Sequence, residues 1–466
     1  MITKIKIHGF KTFQDFEMEF TPLTVIAGAN ASGKSNLFDC LRLLSRLAET
    51  DLKTAFSEQR GNPGELFTQY GEDFFGDEMV FIVEMLLSRH IKDNWGGESD
   101  LKYTRLRYEL RIKREINNKG FEDLAIVYEQ LENLKHNEDQ WVKNNILPNY
   151  VNTWRPQVKT GKRGIPYIET EEKNGIISIK IPQDGRQGGK ATPANAISQT
   201  VLSGINSVDF PHAFAAKEEM RGWKFLQLNP EDLREPTRQD VGIRDTVTSS
   251  GKNLAAALYR IKLNDPYTLK EISRKLNEFL PNFTDVFVDD DKANKQFIIK
   301  LRGEDGREFT SRVLSEGTLR ILALCIFDYD PQYRGLLCFE EPENGIHPFR
   351  ISTMAKLLKN LTINFKEEFM PLRQVIVNTH SPWLVGELFK WKDDNSVSIW
   401  LSQLHTHITS LKKQKIKLKI TKFLPVIKDE DKNKQLMFSF PENIRKLTLS
   451  EVKRYLESSE TEVIQD

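Results

Sequence analysis

Gly28-Ala29-Asn30-Ala31-Ser32-Gly33-Lys34-Ser35 fits the pattern G-x-x-x-x-G-K-[ST] at every fixed position. The apolar run Leu23-Thr24-Val25-Ile26-Ala27 leads into it as a strand. Asn36 to Leu47 follows as a helix, with Leu37, Leu41, Leu44 and Leu47 on one stripe. Strand, glycine loop and helix in that order make a phosphate cradle. Backbone N–H groups point inward, the positive end of the helix adds to the field, and Gly28 and Gly33 admit close backbone approach. Lys34 is placed to reach the β and γ phosphates, and the Ser35 hydroxyl suits Mg²⁺. The expected ligand is ATP with Mg²⁺, bound by Gly28, Asn30, Ser32, Gly33, Lys34, Ser35 and Asn36.

A second element lies far downstream. Gly335-Leu336-Leu337-Cys338-Phe339 reads as a buried strand that delivers Glu340 and Glu341 at its C-terminal end, where open α/β sheets place ligands. Glu340 is expected to coordinate Mg²⁺ through water, and Glu341 to orient or deprotonate the attacking water. Leu314-Ser315-Glu316-Gly317 precedes a helical stretch. Its serine and glycine offer hydroxyl and N–H donors to a γ-phosphate at a helix start. Asn378-Thr379-His380 closes another apolar strand.

Taken together, these segments resemble the ATP-binding-cassette ATPases of the RecF/SMC/OLD type. Ile7-His8-Gly9-Phe10-Lys11-Thr12-Phe13 resembles that family's opening strand and turn, and Gly33-Lys34-Ser35-Asn36 its phosphate loop. Leu314-Ser315-Glu316-Gly317-Thr318-Leu319-Arg320 resembles its signature. Glu341-Pro342-Glu343-Asn344-Gly345-Ile346-His347-Pro348 is similar to its extended Walker B and D-loop, and Thr379-His380-Ser381-Pro382 to its switch histidine. The resemblance covers about residues 1–130 and 225–400. It implies an ATPase that closes head to head around two nucleotides. Ser315 and Gly317 would then act on the partner's ATP, and His380 on the γ-phosphate of its own subunit. Two departures are present: Glu340 stands where many relatives carry aspartate, and Glu316 where glycine is commoner. The sequence does not place the glutamine of the Q-loop: Gln69 is one candidate, and Gln130 and Gln227 are weaker ones.

Composition agrees with a globular ATPase. The 466 residues hold 67 Lys+Arg against 66 Asp+Glu, so the net charge is +1 and no global field attracts nucleic acid. Cys40, Cys325 and Cys338 sit in apolar stretches without metal spacing and read as buried thiols in a reducing cytosol. No apolar run reaches spanning length, so a cytoplasmic chain with no membrane contact is expected.

The fold class expected is α/β, an ABC-type P-loop head with a mixed sheet and flanking helices. Its halves are 1–131 and 223–403, with an inserted subdomain over 132–222 and a basic extension over 404–466. No heptad pattern is sustained, so the insertion is expected to be compact and not a coiled coil. Asp289-Asp290-Asp291 reads as a solvated acidic turn between strands in preference to a metal site, and His347 as a structural helix-start residue. Lys412, Lys413, Lys415, Lys417, Lys419 and Lys422 mark one basic strand face, which fits nucleic-acid phosphate, an acidic partner or a protected edge equally. Lys159, Lys162, Arg163, Arg186 and Lys190 form a weaker basic cluster.

About 85 lysine-rich residues follow Ser381, where OLD-type relatives continue into a nuclease domain of substantial size, so no nuclease of its own is expected in the chain. Compact ATPases of this type resemble those of anti-phage modules such as the Septu, PARIS and retron-linked systems. That implies self-association through the ATP sites, as a dimer or higher oligomer, and a separate effector partner such as a nuclease. The competing expectations are a RecF-like DNA-repair or chromosome-maintenance ATPase that binds DNA, and a nucleotide-locked assembly protein. A transporter ATPase fits least.

Overall fold

Five parallel strands carry the loop and its downstream partners side by side. The computed structural model describes the chain except for residues 72–73, 117–119, 121, 157–163, 184–185, 195–196, 240–245, 369, 392–393, 412–413, 428–446 and 463–466. The N-terminal half supplies β1 (Ile2–His8), β2 (Phe16–Glu19), β3 (Leu23–Ala27), helix α1 (Lys34–Leu47), β4 (Glu78–Leu86), β5 (Arg105–Ile116) and β6 (Glu122–Asn133). Residues 132–222 add β7 (Glu169–Lys173), β8 (Ile176–Gln183), β9 (Arg186–Pro193) and α2 (Pro211–Arg221). The C-terminal half contributes β10 (Lys224–Leu226), α3 (Glu316–Tyr329), β11 (Gly335–Glu340), β12 (Arg373–Thr379), α4 (Pro382–Phe389), β13 (Val397–Leu411), β14 (Gln414–Ile427) and a short β15 (Leu447–Thr448).

The central sheet has the order β10-β11-β12-β3-β13-β14-β15. From β10 to β13 every pairing is parallel, and β14 then returns antiparallel to β13. Near-continuous apolar runs make such strands, because helices and a second sheet cover both faces. All five residues of β3 and all seven of β12 are buried. Alternate side chains feed different cores: Val25, Phe339 and Val377 pack on the C-terminal half, Ile26, Cys338 and Ile376 on the N-terminal half. The second sheet is antiparallel, ordered β2-β1-β4-β5-β6. The α/β architecture with a mixed sheet is therefore the one expected.

The described residues of 132–222 share their cores with the rest of the chain: Trp141, Val142 and Ile146 pack with Ile363, Phe365 and Leu372. Ile179, Leu202, Ile205, Phe214, Ala216 and Met220 join the core of the N-terminal half. Their hairpin turns at Asn174 (φ 54°) and Gly175 (φ 76°), the left-handed pair that a two-residue turn requires. Among the described residues no helix exceeds the 14 residues of α1 and α3, so no coiled coil is present there. The boundary expected at 403/404 falls inside β13, which pairs with β14 from Trp400 to Leu411. The hairpin β13–β14 thus begins inside the central sheet and runs past the end of β3. No described helix is long and apolar enough to cross a membrane.

Candidate functional site

Strand order brings the separate motifs to one edge. β3 ends in the glycine loop, its neighbour β12 ends at Thr379, and β11 beyond that ends at Glu340. Carboxyl ends of parallel strands form the ligand crevice in such sheets.

The loop is held from behind by residues that its own sequence does not contain. Ser402 Oγ donates to the Ser32 carbonyl at 2.8 Å, and a Cβ on Gly28 would lie 2.8 Å from the Ser402 carbonyl oxygen. Gly33, at φ 94°, approaches Thr421 so closely that a Cβ there would sit 2.0 Å from its Oγ1. Thr421 Oγ1 also meets Thr12 Oγ1 at 2.6 Å, and Asn36 Nδ2 donates to Thr12 at 2.8 Å. Asn36, expected at the nucleotide, therefore spends its amide bracing the loop against the hairpin. The signal for Thr421 and Ser402 lies almost four hundred residues downstream and only the fold reveals it.

The front of the loop remains open. Asn30 and Ser35 are exposed, and α1 starts at Gly33 with no side-chain cap and no acidic residue in its first turn. Ser32 Oγ is buried without a hydrogen-bond partner among the described residues. Lys34 is buried and folds back to donate to the carbonyls of Gly28 and Ala29, each at 2.7 Å. Burial lowers its ammonium to about 8, against the pull of Glu341 and Glu343. A buried ammonium, free helix N–H groups and an orphaned hydroxyl are a donor set that fits a polyphosphate. No described cluster of three or more His, Cys, Asp or Glu residues could cage a metal. Mg²⁺ would accordingly be held by Ser35 and Glu340 together with the phosphates.

At the other strand ends the carboxylates differ. Burial pushes Glu340 up, while Arg60 and Arg42 pull against it. Glu341 follows at φ 47°, a left-handed conformation uncommon for a residue with a Cβ. Its N–H donates to the Asn378 carbonyl at 2.8 Å. One side-chain oxygen lies 3.0 Å from His380 Nδ1, and the other accepts from Asn344 Nδ2 at 2.7 Å. The bond to His380 holds the Glu341 carboxyl below its usual range, and the same bond raises the imidazole. Glu343, Asn344, Thr379, Arg42 and Arg60 were not singled out as site residues from the sequence, although the first two lie inside the quoted acidic segment.

Ser315 caps α3, accepting from Thr318 N at 3.3 Å, and Gly317 lies so near Gly345 that a Cβ would be 2.9 Å from its carbonyl oxygen. Among the described residues, neither Ser315 nor Gly317 makes a hydrogen bond to the loop over 28–35. The chain thus brings Lys34, Glu340, Glu341 and His380 together and keeps Ser315 and Gly317 beside the turn at Gly345. Of the three glutamines, Gln227 leaves β10 directly beside β11, at the same sheet edge. Gln130 lies in the second sheet bonded to Glu132, and Gln69 in an isolated bridge with Phe75. The topology favours the candidate that the sequence had ranked low. Asp289, Asp290 and Asp291 belong to the strand Phe283–Asp291 and not to the turn after it. Lys300, Gln239 and Asn294 engage them in turn.

Residues 23–386 match the family described as "AAA domain, putative AbiEii toxin, Type IV TA system". The chain belongs to this family. Solved structures similar to this AAA-domain chain include an Smc head bound to the C-winged helix domain of ScpA, at 12% identity over 91% of this chain and 98% of that one, with a TM-score of 0.46. The SMC head domain from Thermotoga maritima is 13% identical over 91% and 99%, with a TM-score of 0.35. The Smc head with an extended coiled coil bound to the C-terminal domain of ScpA, derived from Pyrococcus furiosus, is 11% identical over 91% and 96%, with a TM-score of 0.40. No curated protein matches the chain.

Proposed function

We propose that this AAA-domain protein binds and hydrolyses ATP and uses ATP-dependent head-to-head pairing as a switch that controls a separate effector, a nuclease or toxin, in anti-phage defence. The observation that carries the ATPase reading is the convergence of Lys34, Ser35, Glu340, Glu341 and His380 on three neighbouring strand ends. Lys34 and the loop N–H groups bind the phosphates, with Mg²⁺ supplying charge neutralisation at the γ-phosphate. Glu341 takes the proton of the attacking water on a lone pair that His380 does not occupy, while the contact from His380 Nδ1 orients the carboxylate. Ser315, capping a helix away from its own loop, is free to reach the nucleotide of a second copy. The defence role is supported by the toxin and type IV TA system named in the family description, and by the resemblance to compact defence ATPases.

Glu341→Gln tests the switch. Its ATP turnover should fall about 100-fold or more while ATP binding persists. Light scattering after gel filtration should then show a dimer or higher oligomer that appears only with ATP. Hydrolysis at the wild-type rate would remove Glu341 as the base, and an unchanged mass would remove ATP-driven pairing.

One observation favours a second reading, a RecF-like role on DNA. Lys417, Lys419 and Lys422 are exposed on β14; Lys412 and Lys413 lie outside the described residues, as do Lys159, Lys162 and Arg163. Duplex binding that weakens steeply with salt would favour it.

A further inference from the structure

The ends of β11 and β12 are laced together beyond the sheet. Glu340 and Asn378 are their last paired residues, and Glu341 N–H then donates to the Asn378 carbonyl at 2.8 Å. The next links are made by side chains. Thr379 Oγ1 donates to Glu343 Oε1 and accepts from Ser381 N at 3.0 Å. Ser381 in turn caps α4, its Oγ accepting from Leu384 N at 3.4 Å. His380 is the residue between these two anchors, with Nδ1 3.0 Å from Glu341.

Glu343 is an expensive residue to keep in this position. The residue is 7% exposed, Oε2 has no hydrogen-bond partner among the described residues, and burial pushes the carboxyl up. A buried acid with one oxygen unsatisfied destabilises the fold unless it does something else. What it does here is take the only proton that Thr379 has to give. That fixes the hydroxyl so that its lone pair faces the Ser381 N–H, and it fixes the peptide on each side of His380.

We propose that Glu343 and Thr379 are a positioning pair for His380, holding the backbone on both sides of it so that the imidazole points at Glu341. Neither touches the reacting atoms. The catalytic consequence rests on the ATPase reading; the geometry of the ring does not.

Thr379→Val and Glu343→Leu each remove the link, while Thr379→Ser and Glu343→Gln keep a hydroxyl and an acceptor. The first pair should lower kcat on the order of tenfold with KM for ATP within about twofold, and the second pair should retain kcat. In a His380→Ala background Thr379→Val should cost nothing further, since the group it positions is gone. Histidine-selective NMR, with His380→Ala to assign the signal, reads the ring without ATP. The imidazole should titrate above its ordinary midpoint in the wild type and in Glu343→Gln, and fall back toward that midpoint in Thr379→Val. An unmoved His380 titration in Thr379→Val, or a loss that adds fully to His380→Ala, would overturn the pair. If Thr379→Val fails to fold, Glu343→Leu carries the same comparison. A wild-type protein that hydrolyses no ATP would defeat the ATPase reading, and the ring titration would still decide the positioning.

Discussion

The nucleotide corner and the joint that fastens residues 132–222 both bury ionisable groups, yet they finish their hydrogen bonds differently. At the corner, Ser32 Oγ, Asn378 Oδ1 and Glu343 Oε2 are buried without partners among the described residues. At the joint, Asp139 is fully inside and takes Arg105 Nε and Nη2 at 2.9 and 3.0 Å, and Arg155 Nη1 at 2.8 Å. Glu129 is equally closed: Oε1 accepts from Tyr108 and Leu202 N–H at 3.0 and 2.9 Å, and Oε2 from Val201 N–H at 2.7 Å. Unmade bonds cost stability, and the three at the corner stand where a ligand would complete them, whereas Asp139 and Glu129 have both oxygens engaged. The comparison teaches that binding and folding are carried by different buried charges.

The hardest blow to the joint is Asp139→Ala. It leaves Arg105, 1% exposed, with only Glu84 at 3.8 Å among the described carboxylates, and takes from Arg155, 5% exposed, its partner at 2.8 Å. Breaking a buried pair in this way costs about 3–5 kcal/mol, measured as lost stability in denaturant. ATP affinity of the folded fraction should stay unchanged. A large loss of affinity at unchanged stability would abolish the distinction between the two regions.

Lys34→Ala is the counterpart at the corner. Removing the buried ammonium should weaken ATP binding by about 2–5 kcal/mol, read by titration with a fluorescent analogue. The melting temperature without nucleotide should hardly move, because among the described residues Lys34 bonds only loop carbonyls and burial already disfavours its charge. A strongly destabilised Lys34→Ala would mean that the corner too is built for folding.

The same division explains what the sequence could be made to say. The phosphate loop is eight contiguous residues flanked by a strand and a helix, so chain order alone displays it. Glu340, Glu341 and His380 stand at the ends of apolar runs, which strand periodicity locates. The bracing of Gly33 by Thr421 and of Gly28 by Ser402 was invisible, since it depends on β13–β14 returning beside the loop. Glu129 was hidden for another reason. Arg111 faces Tyr128 while Ile112 faces Ile126, so Val127 bulges out of register and Glu129 turns inward. A strand read by alternation gives no warning of that.

Glu129 also supplies the smallest and most selective effect, a pH dependence that belongs to the joint alone. Burial raises its carboxyl from 4.5 to about 7, with the N–H groups of Leu202 and Val201 and the Tyr108 hydroxyl pulling the other way. A carboxyl whose folded value is raised binds its proton more tightly in the folded chain. Its contribution is therefore fully present below about pH 4.5 and is lost as pH rises through about 7. The difference corresponds to at most about 3 kcal/mol. Glu129→Gln cannot ionise, so unfolding curves at pH 5 and 8 should differ less for it than for the wild type by roughly that amount. ATP affinity should be the same for both proteins at each pH, because the carboxyl lies outside the nucleotide corner. Equal pH slopes would show that Glu129 does not titrate in the folded joint. An affinity that followed the Glu129 titration would show that joint and corner are energetically one.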